Sequence, residues 1–69
     1  MTTFQPTFSR VWDGPQLRFW RQVKGLTQQE LAGKVGVSRN MIGAWERGLQ
    51  PPPRRVQQLA DALGCSFLE

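Results

Sequence analysis

Histidine and tyrosine are absent from this sequence of 69 residues, and cysteine occurs once, as Cys65. Each absence closes a class. A single thiol forms no internal disulfide, and one thiol with five carboxylates and no imidazole does not make a structural zinc site. Nucleophilic catalysis through a histidine-dependent triad or dyad is excluded on the same ground. No apolar run approaches the ~18 residues of a membrane span, and the amino-terminal MTTFQPTFSRVW lacks the apolar stretch of a secretory signal. A reducing, cytoplasmic setting is therefore expected, with no membrane partner, no metal and no cofactor. Acidic residues are also scarce: five Asp and Glu stand against nine Lys and Arg, for a net charge of +4 and an isoelectric point near 10.7. On so small a chain that excess makes a polyanion the first partner to consider.

The length allows one small domain. Area scaling gives a folded surface of roughly 4,400 Å² against about 11,500 Å² for the extended chain. The core is therefore small, and its elements must pack efficiently without a metal or disulfide to help. There is no strand pattern, internal repeat or low-complexity tract beyond the prolines at 51–53.

Residues 1–14 carry Phe4, Phe8 and Trp12 without helical or alternating period. They read as an arm whose aromatics fold back onto a domain formed by residues 15–69. Asp13-Gly14-Pro15 reads as a helix start, a cap followed by proline in the first turn. Leu17, Trp20, Arg21 and Lys24 share the inner stripe of that helix, Gly25 ends it, and Leu26 clamps the end. Thr27-Gln28-Gln29-Glu30 is a capping box. The short second helix it opens turns Leu31, Ala32 and Val35 inward and stops at Gly36. Val37 re-enters the core, and Ser38 caps a third helix with Ile42 and Trp45 inside, Glu46 beside them and Gly48 at its end.

Leu49 to Pro53 reads as a stiff connector. Pro53 begins a fourth helix, whose Val56, Leu59, Ala60 and Leu63 recur at i, i+3, i+4 and i+7 up to Gly64. Cys65 takes an apolar position. Ser66-Phe67-Leu68-Glu69 has the form of another capping box, so a further helix belonging to a longer protein is expected to start there, the alternative being a last turn that frays. Phe19 falls off the stripe and is assigned to a surface covered by the arm, the alternative being a dimer contact. The expected fold is all-α, a small bundle of four to five helices.

The second and third helices carry a tighter pattern. Ala32, Gly36 and Ile42 fall at i, i+4 and i+10, interleaved with Leu31, Val35, Val37 and Trp45. Two helices that cross steeply after a short turn need this arrangement. A small residue sits at the closest approach, a residue tolerant of positive φ makes the turn, and larger apolar groups anchor both helices. The stretch from Leu17 to Ser66 contains Gly-Leu-Thr-Gln-Gln-Glu-Leu-Ala, Val-Gly-Val-Ser, Trp-Glu-Arg-Gly and a proline before the fourth helix, in that order. It resembles the lambda-repressor-like, or Cro-type (XRE), helix-turn-helix domains.

That resemblance implies a regulator of transcription, repressor-like, that sets its third helix into the major groove of double-stranded DNA, usually as a homodimer. Its residue roles carry over as implications. Gln28 matches a phosphate-contacting glutamine at the positive end of the second helix. Ser38, Arg39 and Asn40 match the start of the recognition helix, where Arg39 suits guanine O6/N7 and Asn40 adenine N6/N7. Gly43 and Ala44 stand one turn on, where related domains carry longer reading side chains; here the helix lies closer to the groove floor or Ala44 touches a thymine methyl. Arg47, Arg54 and Arg55 flank the loop between the third and fourth helices and match phosphate contacts, Arg54 being the one nearest the minor groove. Arg21 and Glu46 match a partly buried ion pair that orients the recognition helix.

The alternative is a protein-interaction module, such as an antitoxin-type domain, using the same fold without DNA. The basic balance and the polar start of the third helix favour DNA. Nothing suggests an enzyme: Gly33, Gly36 and Gly43 do not compose a phosphate-cradling loop, and no nucleophile–base pair is evident. The unfinished last helix leaves little surface for a strong dimer, so a monomer that pairs on DNA is expected.

Overall fold

Four helices make up the computed structural model, which describes residues 12–64: α1 (Gly14–Val23), α2 (Gln28–Val35), α3 (Arg39–Glu46) and α4 (Pro53–Leu63). Among the described residues there is no strand, and no helix is long and apolar enough to cross a membrane. Phe4 and Phe8 of the arm, Cys65 and the capping box at 66–69 lie outside the described residues.

The starts follow local chemistry. The Asp13 side chain accepts the Gln16 N–H and opens α1 with Pro15 in the first turn. At α2 the capping box closes in both directions, Glu30 N–H to Thr27 Oγ1 at 3.0 Å and Thr27 N–H to Glu30 Oε1 at 2.8 Å. Ser38 Oγ accepts the Met41 N–H at 3.1 Å and opens α3. α4 opens on Pro52 and Pro53 with no side-chain cap; proline supplies the pre-set φ and has no N–H to satisfy.

The ends are equally local. Gly36, at φ 84°, takes the left-handed conformation that stops α2. Its N–H and that of Val37 both go to the Ala32 carbonyl, at 2.8 and 3.0 Å. The turn from α2 to α3 is therefore hydrogen-bonded to the last turn of α2 itself. Leu26 closes α1 by donating to the Arg21 carbonyl at 3.0 Å, which is how it clamps that end.

Leu17, Leu31, Ala32, Ile42, Leu59, Ala60 and Leu63 are fully buried, with Trp20 and Trp45 nearly so. Here α2 packs on α3 and α4, and α1 packs on α3. Both tryptophans are core, as their stripes imply. Three positions differ from the sequence reading. Lys24, placed on the inner stripe, is the exposed C-cap of α1: the helix stops one residue earlier, which keeps the ammonium in water. Val56 is only half-buried. Pro51, read as part of a stiff connector, is among the fully buried side chains.

Trp12 belongs to the packed body. It lies against the core, and its indole N–H donates to the Trp45 carbonyl at 2.8 Å. That carbonyl is one of the last in α3, beyond the i→i−4 ladder, and it accepts the Gly48 N–H at 3.2 Å as well. One aromatic of the expected arm thus folds back and caps the end of α3.

Candidate nucleic-acid interface

The first turn of α3 leaves Arg39 and Asn40 exposed, and neither side chain is hydrogen-bonded or ion-paired among the described residues. Ser38 precedes them; its oxygen accepts the cap bond, which leaves the hydroxyl hydrogen to donate elsewhere. Ala44, one turn on, is half-exposed. Gly43 is buried: a Cβ there would stand 3.2 Å from Arg47 Nη1 and 3.8 Å from Gln28 Nε2. The guanidinium of Arg47 lies back across α3 over this glycine. Gly43 therefore faces a cleft it shares with Arg47 and Gln28, unlike the other positions assigned to base contact.

Behind this turn a buried ion pair ties α1 to α3. Arg21 Nε donates to Glu46 Oε2 at 2.6 Å and Arg21 Nη2 to Oε1 at 3.3 Å, while Nη1 donates to the Leu26 carbonyl at 2.8 Å. The side chains are 11% and 6% exposed. Geometry of this kind, two parallel N–H···O bonds from one guanidinium, sets direction as well as distance. Gln28 Nε2 donates to Glu46 Oε1 at 3.0 Å, so the glutamine assigned to phosphate is itself attached to the pair.

The arginines beyond α3 divide. Arg54 is exposed and has no partner among the described residues. Arg55 is half-buried; its Nη1 donates to the Val35 carbonyl at 3.3 Å and to Gln58 Oε1 at 2.8 Å. It thus satisfies an end carbonyl of α2 from α4, a favourable place for a cation. Arg55 ties helices together in addition to any contact it makes with a partner.

The described carboxylates are all engaged within the fold. Asp13 and Glu30 cap helices, Glu46 holds Arg21, and Asp61 accepts from Gln57. Arg18, Arg39, Arg47 and Arg54 have no acid partner among the described residues. Sequence reading passed over Arg18. The available signal was its i, i+3 spacing to Arg21: the inner residue goes to Glu46, and the outer one lines the same cleft.

A family model described as Helix-turn-helix matches residues 17–69. Three curated proteins illustrate the likeness. An uncharacterized HTH-type transcriptional regulator of Bacillus subtilis (strain 168), YazB, is 36% identical over 59 residues, 84% of each chain. An uncharacterized HTH-type transcriptional regulator of Methanothermobacter thermautotrophicus is 43% identical over 54 residues, 77% of this chain and 78% of that one. A third, y4dJ of Sinorhizobium fredii, is 40% identical over 50 residues, 71% of this chain and 65% of its own. With most of its length matched by the family model, this chain belongs to the helix-turn-helix family.

Proposed function

We propose that the chain is a sequence-specific regulator of transcription that binds double-stranded DNA, acts in the cytoplasm on the nucleoid, and is repressor-like. The observation that carries this reading is the solvent-exposed, unpartnered first turn of α3 on a body whose described carboxylates are all occupied. Arg39 and Asn40 read base edges, with Ser38 and Ala44 beside them. Gln28, Arg47, Arg54 and Arg55 hold phosphates, Arg55 with the donors its internal bonds leave over. Phosphate contacts supply affinity and register; base contacts supply discrimination. Two copies gather on DNA at half-sites about 34 Å apart. The role is one of binding, without catalysis.

Selection of bound sequences from a random duplex pool is the deciding experiment, with a palindromic consensus expected. Recovery of no preferred sequence would favour the protein-interaction module instead. Arg39→Ala is expected to relax preference at one base position, costing roughly 1–3 kcal/mol there. An equal loss on every duplex would make Arg39 a phosphate contact. Arg54→Ala should weaken binding to all sequences alike and lower the slope of log affinity against log salt by about one unit. An unchanged slope removes Arg54 from the footprint.

A further inference from the structure

One cleft draws on α1, α2 and α3. Its walls are Arg18 and Arg21, Gln28, and Gly43, Glu46 and Arg47, so three guanidiniums face one carboxylate. Glu46 spends Oε2 on Arg21 Nε, and Oε1 on Arg21 Nη2 and Gln28 Nε2. Arg18 and Arg47 are left without a counter-charge among the described residues. A carboxylate that can only accept also fixes the Gln28 amide with its nitrogen inward, leaving one N–H of that nitrogen to point elsewhere.

Gly43 gives the cleft its room. The point where its Cβ would stand lies within 4 Å of both Arg47 Nη1 and Gln28 Nε2, so two donors border a volume that no side chain fills. We infer that Arg18 and Arg47, with the spare N–H of Gln28, seat one backbone phosphodiester of the bound duplex, and that Gly43 keeps that seat open. This rests on the DNA-binding reading above and adds two residues to it: Arg18 as a ligand and Gly43 as the space. A phosphodiester carries a single negative charge on two outward oxygens, which suits donors arriving from two directions. The seat lies toward the carboxyl end of α3, while Arg39 and Asn40 occupy its amino end. A phosphate held there sets the angle at which the leading turn enters the groove.

The test uses the full chain and a duplex recovered by selection, scanned with single methylphosphonates that remove charge one phosphate at a time. Lys34→Gln is the control, since Lys34 borders a separate groove with Gln58 and Asp61. Wild type and K34Q are expected to lose about tenfold in affinity when one particular phosphate per half-site is neutralised. R18Q and R47Q should each bind about tenfold more weakly to the unmodified duplex and no longer respond at that phosphate. G43A should bind several-fold more weakly with a melting temperature no lower than wild type, since its methyl displaces only the flexible end of Arg47.

Unchanged sensitivity in R18Q overturns the proposal. So does loss of sensitivity at two different phosphates in R18Q and R47Q, or full affinity in G43A. If wild type binds no duplex even in dilute salt, the DNA-binding reading itself fails and the seat with it.

Discussion

Gly14→Ala is expected to lower the melting temperature by about 10 °C or more, whereas Gly33→Ala should raise it by a few degrees. Both glycines lie in helices, and propensity alone favours alanine at each by up to ~1 kcal/mol. Surroundings reverse the sign at one of them. A Cβ on Gly33 meets nothing within 4 Å, but a Cβ on Gly14 would stand 2.3 Å from the Glu46 carbonyl oxygen and 2.7 Å from that of Trp45. These are backbone atoms at the end of α3, the same turn that Trp12 caps, and they cannot rotate away as a side chain would. Relief requires α1 to move off α3, opening the contact between Leu17, Trp20 and Trp45. Overpacking of this kind costs about 1–3 kcal/mol and sometimes more, and each kcal/mol is worth roughly 4–8 °C in a domain of this size. Thermal circular dichroism of the two variants decides the matter. A Gly14→Ala protein melting at or above wild type would mean that α1 and α3 are not in rigid contact at this point.

What was legible in the sequence follows a physical divide. Thr27 with Glu30, Asp13 with Gln16, Ser38 with Met41 and the left-handed Gly36 all act within one turn of chain, so residue types at fixed spacing announced them. The apolar stripe of α4 was readable for the same reason. Gly14 is different: its Cα–H₂ is required by a carbonyl from the far end of α3, and in sequence it passes for part of a cap. Pro51 looked like connector because proline stiffens a loop whether or not the loop is buried. Lys24 was misplaced because a stripe continues by arithmetic beyond the point where the helix ends.

The site was legible to a different degree. A charged residue among apolar ones, Arg21 beside Leu17 and Trp20, signals a buried partner, but periodicity does not name Glu46; the family resemblance did. Arg55 and Arg54 are neighbours of one type in one helix, and only the tertiary fold separates the one bonded to Val35 from the one left in solvent. Gly43 was grouped with Ala44 as a short side chain facing a groove. Its burial under Arg47 depends on where a long side chain four residues on comes to rest, which spacing does not determine.

Glu46→Ala is expected to unfold much of the population at ambient temperature. It would leave the Arg21 guanidinium nine-tenths buried with only the Leu26 carbonyl as acceptor, and breaking a buried pair from one side costs roughly 3–5 kcal/mol. The whole chain has about 3–10 kcal/mol to lose, from the usual stability per residue. Replacing both partners with apolar side chains, Arg21→Met with Glu46→Leu, removes the stranded charge. Stability should then return to within about 1 kcal/mol of wild type or exceed it. The double change also leaves net charge unaltered, because one cation and one anion go together, so long-range attraction to DNA is preserved. What it removes is the acceptor that holds the Gln28 amide. Duplex affinity is accordingly expected to stay several-fold below wild type in a protein that melts normally, with a salt slope close to the original. Wild-type affinity in that double variant would make the pair a matter of folding alone; a loss confined to affinity would make it the part that aims α2 and α3 at one phosphate.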